Sequence, residues 1–294
     1  MDKTYPYPKK GKIRWASTDW LHDRLDEVKE GDIMVIDTQP NVHDYIHTHI
    51  PGSIYFNQWL LRIPEGNLPA AYPPAEAVEI LLRRVGLQKD VPTVVYSGKG
   101  HVKGWGDGLG QTFLAYSLYR YGHNNILVLD GGLGKWEAED KPTSQEFSSV
   151  QKSNFKVKER KKDVASFEEV KKAKDNDDVL LLDARPSHVY EGKGPWRLPG
   201  HIPGAVNLPW KSLMREDNPR WLKPKEELEE LLKKRGITPD KQLICSCGTG
   251  REATNEYLLF KWYLKYPKVK IDEGAFTKWV SNPDAKTVTG KNPM

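Results

Sequence analysis

Short apolar runs alternate with longer amphipathic stretches along this chain. Residues 32–36, 93–96 and 126–129 are rich in Val, Ile and Leu, and turn-forming residues bound them. Each reads as a strand buried on both faces. Between them, residues 74–85 and 109–121 place apolar side chains near helical spacing, which predicts helices. The same alternation returns later, with strands expected at 179–182, 243–246 and 268–271 and helices near 225–234 and 254–263. Strands that alternate with helices imply an α/β fold, a parallel sheet flanked by helices on both faces. Such sheets bind ligands at the carboxyl ends of their strands.

The pattern also repeats in its residues. Val35-Ile36-Asp37-Thr38-Gln39-Pro40 parallels Leu181-Leu182-Asp183-Ala184-Arg185-Pro186, and His49-Ile50-Pro51-Gly52 parallels His201-Ile202-Pro203-Gly204. Val94-Val95-Tyr96-Ser97 parallels Ile244-Cys245-Ser246-Cys247. Leu129-Asp130-Gly131-Gly132 with Trp136 parallels Ile271-Asp272-Glu273-Gly274 with Trp279. One long-period repeat means a duplicated domain rather than a solenoid. The polar stretch between Pro142 and Asn154 places the boundary, giving domains at 1–147 and 148–294. Residues in both copies, such as Trp136 and Trp279 or His49 and His201, read as packing and turn residues. Asp37 and Asp183 are expected to bond the backbone of the loops that follow them.

Composition narrows the function without choosing it. The 294 residues are 38% hydrophobic and 29% charged, with a net charge of +5 spread along the chain. This suits a globular protein and gives no basic stripe for nucleic acid. No apolar run approaches the length of a membrane span, and Met1–Pro6 has no secretory h-region, so a cytoplasmic setting is expected.

The two cysteines, Cys245 and Cys247, are the whole cysteine content. They are too few for a disulfide framework, and no second pair completes a structural zinc site. No carboxylate–histidine cluster suggests a metal. A thiol confined to one place is the pattern of a reactive group.

That place is Gln242-Leu243-Ile244-Cys245-Ser246-Cys247-Gly248-Thr249-Gly250-Arg251-Glu252-Ala253-Thr254, an apolar strand running into a small-residue loop and then a helix. Glycines let successive N–H groups converge on the thiol, which should then ionise readily. The order resembles the active-site loop of the rhodanese family of sulfurtransferases. Asp183-Ala184-Arg185 followed by Gly200-His201-Ile202-Pro203-Gly204-Ala205 is similar to that family's other signature. The likeness spans nearly the whole chain. It implies two tandem rhodanese-like domains, with the first, which has Ser97 in place of the cysteine, as the non-catalytic partner.

The resemblance implies that the Cys247 thiolate takes the outer sulfur of a donor as a persulfide and passes it to a thiophilic acceptor, cyanide or a thiol, with no cofactor. Arg185 matches the arginine that contacts the anionic donor, unless it pairs with a nearby carboxylate. Gly248, Thr249 and Gly250 resemble loops of mercaptopyruvate users, whereas Arg251-Glu252 resembles a variant of a thiosulfate-type loop. The reading leans to thiosulfate, with 3-mercaptopyruvate as the alternative. Arg251 either supplies positive charge for the donor or pairs with Glu252 or Glu256. Cys245 is either a buried strand residue or a resolving thiol. Cys245 to Arg251 also spells Cys-x5-Arg, the loop of cysteine phosphatases and arsenate reductases, although Cys245 falls inside the strand. A non-catalytic sulfur carrier is a further alternative. The long first-half loop that begins at Ser97 is either a surface or interdomain loop or a carrier of His101, Lys103 or Trp105 toward the Cys247 site.

Overall fold

Both runs of expected strands form parallel sheets. The computed structural model describes residues 5–102 and 106–294, so the expectation for Lys103 and Trp105 lies outside the described residues. In chain order the strands are β1 (Ile13–Ala16), β2 (Met34–Asp37), β3 (Ile54–Tyr55), β4 (Ile63–Glu65), β5 (Leu68–Ala71), β6 (Thr93–Tyr96), β7 (Ile126–Leu129), β8 (Val179–Asp183), β9 (Val206–Asn207), β10 (Gln242–Ser246) and β11 (Val269–Ile271). One sheet has the order β1-β7-β6-β2-β3 and the other β11-β10-β8-β9. Every neighbouring pair in both is parallel. The short β4–β5 hairpin is antiparallel.

The apolar runs are continuous because β6 and β7 are buried at every position. Parallel neighbours cannot be joined by a tight turn, so crossovers carrying helices connect them. Helix Ala75–Arg84 turns Val78 and Leu82 inward, and Lys225–Lys234 does the same with Leu228 and Leu232. Helix Gly110–Arg120 is buried along its whole length. The helix expected over 254–263 starts earlier, as Glu252–Leu258, and runs on through a π turn at Leu259–Tyr263.

The sheet registers reproduce the sequence repeat. Val35 pairs with Val94 across β2 and β6, and their counterparts Leu181 and Ile244 pair across β8 and β10. The second copy has no full equivalent of β1; a single bridge from Val164 to Ile271 stands in its place.

The repeated residues hold equivalent joints. Trp136 Nε1 donates to Pro142 O at 2.8 Å, and Trp279 Nε1 donates to Lys286 O at 2.9 Å. The His49 ring stacks on Tyr45 between the carbonyls of Tyr45 and Glu146. His201 stacks on Tyr190 between the carbonyls of Tyr190 and Asn292.

The chain divides into two compact units, and each includes a short piece of the other repeat. The first comprises Met1–Arg62, Tyr72–Arg160 and Glu216–Leu222; the second comprises Ile63–Ala71, Lys161–Arg215 and Lys223–Met294. Within the first, Asn218 Nδ2 donates to Gly131 O at 2.8 Å, and Arg220 O accepts from Gly131 N at 3.0 Å. Among the described residues no helix is long and apolar enough to cross a membrane.

Candidate active site

Strand β10 lies between β8 and β11, and the chain leaves its carboxyl end at Cys247. The Cys247 carbonyl accepts from Phe276 N at 2.9 Å, just as the Ser97 carbonyl accepts from Leu133 N at 2.9 Å. The two residues therefore hold the same place in their sheets. Cys245 sits mid-strand between Leu182 and Ile271, fully buried, and does not head the loop. Burial pushes its thiol well up, and the nearby Glu256 carboxyl adds to this. It resembles core filler rather than a nucleophile.

The loop curls around the Cys247 sulfur. Gly250 has φ +82°, which favours glycine, and its N–H donates to Sγ at 3.0 Å. A Cβ at Gly250 would stand 2.4 Å from Glu273 O. Gly248 lies under Trp196, whose Cη2 would be 2.7 Å from a Cβ there. Gly248 O accepts from Thr277 Oγ1 at 2.8 Å, and that hydroxyl accepts from Trp196 Nε1 at 2.9 Å. Trp196, in the connection between β8 and β9, carries no periodicity or motif that would have announced it.

The expected ease of ionisation is corrected by the structure. Cys247 is wholly buried, and this pushes its thiol well above the usual range. The Glu252 carboxylate, hydrogen-bonded to the thiol, pushes in the same direction. Backbone N–H groups of Ala253 and Thr249 oppose both, as the loop geometry implies. The cradle is present, but burial and the Glu252 carboxyl outweigh it.

Arg185 is 1% exposed and grips Asp183, with Nε at 2.9 Å from Oδ1 and Nη2 at 2.5 Å from Oδ2. Nη2 also donates to Gly200 O at 2.9 Å. Its guanidinium lies 4.1 Å from the Phe276 ring centroid and 5.2 Å from that of Trp196. Nη1 has no partner among the described residues. The structural carboxylate pair is thus formed, and one N–H edge is left over next to the loop; a Cβ at Gly248 would lie 3.7 Å from Arg185 Cδ. Arg251 is largely buried, and its carbonyl accepts from Thr254 Oγ1 at 2.7 Å. It does not pair with Glu256, whose carboxyl oxygens have no hydrogen-bond partner among the described residues.

One half thus presents a thiol in a backbone cradle beside a buried guanidinium, and the other repeats the frame around a serine. A family model for the rhodanese-like domain matches the chain twice, over residues 17–139 and 166–282. The chain belongs to the rhodanese family. It is 33% identical over 275 residues to a Synechococcus elongatus protein provisionally named a thiosulfate sulfurtransferase, covering 91% of this chain and 82% of that one. It is 31% identical over 241 residues to a thiosulfate sulfurtransferase of Azotobacter vinelandii, covering 82% of this chain and 85% of that protein. The crystal structure of the Escherichia coli 3-mercaptopyruvate sulfotransferase SseA matches with a TM-score of 0.77 at 27% identity, over 89% of this chain and 98% of that one.

The first rhodanese-like domain differs where the chemistry would lie. Gln39 replaces Arg185, donating to Asp37 Oδ2 at 2.9 Å, and Tyr96 donates its hydroxyl to the same oxygen at 2.6 Å. Without a cation beside it, burial pushes the Asp37 carboxyl up to about 7. Both aspartates also accept from the backbone two residues on, at Gln39 N and Arg185 N. His101 pairs with Glu137 at 2.9 Å, within its own unit.

Proposed function

We propose that this rhodanese-family protein moves a sulfane sulfur from thiosulfate to a thiophilic acceptor, cyanide or a thiol, through a persulfide on Cys247. The observation that carries this reading is the Gly250 N–H aimed at Cys247 Sγ, placed to stabilise that sulfur as it attacks the donor and again as it leaves as thiolate. Sγ attacks the outer sulfur of thiosulfate, the S–S bond of the donor breaks, and sulfite leaves with the electron pair. The acceptor then attacks the outer persulfide sulfur, and the Cys247 sulfur leaves as thiolate. Arg185 Nη1 is the edge offered to the donor's oxyanion, with Asp183 holding the guanidinium in place. Residues 148–294 form the catalytic half of this scheme and residues 1–147 the non-catalytic one.

A second donor has its own support. Gly248-Thr249-Gly250 resembles mercaptopyruvate-type loops, and SseA shares the fold over nearly its whole length. The test is paired assays of both donors with cyanide as acceptor on wild type, Cys247→Ser and Cys245→Ser. Thiosulfate activity abolished in Cys247→Ser and kept in Cys245→Ser is the expected result. Activity that survives Cys247→Ser and disappears in Cys245→Ser overturns the assignment.

A further inference from the structure

The buried thiol creates a difficulty that the persulfide scheme leaves open: its proton must go somewhere when Sγ attacks. Cys245 and Cys247 are two apart, so they share a face of the β10 run. Glu252 and Glu256 are four apart in the facing helix and share one face of it. The Glu252 carboxylate bonds the Cys247 thiol, and Glu256 is the carboxyl that acts on Cys245.

Among the neighbouring charges, Asp183 acts on Glu256 and Lys278 acts on Asp272. On β8, Asp183 is matched by Arg185. Past β11, Asp272 accepts from Ser246 Oγ at 2.9 Å and from Ala275 N at 3.0 Å. Arg251 flanks Glu252 in the loop. Glu256 is 0% exposed and neither oxygen has a partner among the described residues. An isolated charge there would be strongly penalised, so Glu256 is held as the neutral acid. Glu252 is part-buried at the start of the helix and hydrogen-bonded to the Cys247 thiol.

We propose that Glu252 is the proton acceptor for Cys247, and that Glu256, kept neutral one helical turn on, leaves it free to act so. The step rests on the persulfide chemistry proposed above. As Sγ bonds to the outer sulfur of thiosulfate and sulfite departs, the thiol proton passes to the Glu252 carboxylate. The negative charge moves from Glu252 to the outer persulfide sulfur, so the buried site gains no net charge. When an acceptor removes that sulfur, the Cys247 thiolate regains the proton from Glu252.

The test is single-turnover persulfide formation on the full-length protein, followed by intact mass from neutral to alkaline pH, for wild type, Glu252→Gln and Glu252→Asp. In wild type the rate is flat across this range. In Glu252→Gln solution ionisation must supply the thiolate, so the rate rises about tenfold per pH unit and at neutral pH falls about a hundredfold below wild type. Glu252→Asp keeps a carboxylate and keeps the flat profile, which a merely structural role would not require. A flat profile in Glu252→Gln, or faster uptake at every pH, overturns the proposal. Wild type that forms no persulfide with either donor overturns the sulfur-transfer reading itself.

Discussion

Replacing Gly250 with alanine disturbs the site through its backbone alone. The residue holds φ +82°, where an L side chain costs about 1–2 kcal/mol. The new Cβ would stand 2.4 Å from Glu273 O and 3.1 Å from its carbonyl carbon, both backbone atoms. Ordinary contact begins near 3.4 Å, so loop and strand end must part by about 1 Å. Such a shift carries the Gly250 N–H away from Cys247 Sγ, now 3.0 Å distant. A hydrogen bond to a charged sulfur is worth about 1.5–3 kcal/mol, and its loss slows persulfide formation by about ten- to a hundredfold. The assay is single-turnover sulfur uptake from thiosulfate, beside thermal unfolding and the pH dependence of Cys247 alkylation. The alkylation profile should move to higher pH. A rate within twofold of wild type together with an unmoved profile would refute the view that this N–H stabilises charged sulfur.

Two further outcomes follow from buried carboxylates. Arg185→Met leaves the buried Asp183 without its cation and lowers stability by about 3–5 kcal/mol, and adding Asp183→Asn recovers much of it; chemical denaturation giving a single-variant loss under about 1 kcal/mol would contradict the pair's role. Asp37 has its folded value raised from 3.8 to about 7, so the folded state keeps a proton that the unfolded chain releases. Stability therefore falls as pH rises from about 4 to about 7, by at most about 4 kcal/mol, and Asp37→Asn removes that slope. Denaturation curves near both ends of the window check this, and an identical slope in the variant would count against it.

Much of this was legible in the sequence because it depended on local pattern. Buried strands show as apolar runs, and the duplication aligned Ser97 with Cys247 across the two halves. The matching carbonyl bonds from Leu133 and Phe276 are that alignment seen in space. What stayed hidden came from distance along the chain. Trp196 meets Gly248 across a connection with no period of its own. Glu256 looks like a polar helix residue until the sheet closes over it, and that same closure pushes up the Cys247 thiol in a loop expected to favour thiolate. The missing counterpart of β1 was not visible either, since one bridge at Val164 does its work.

The short pieces exchanged between the repeats bear on how such a chain can change over generations. A truncated gene ending at residue 160 would encode the first unit without Asn218, Arg220 and Leu222, so Gly131 and Asp130 would lose bonds that complete their loop. The reciprocal fragment would lack Ile63–Ala71. A duplicate with serine in place of the thiol is therefore not spare material. Its loop differs at Ser97 and Gln39, but deleting the copy would also remove Ile63–Ala71 from the unit that holds Cys247.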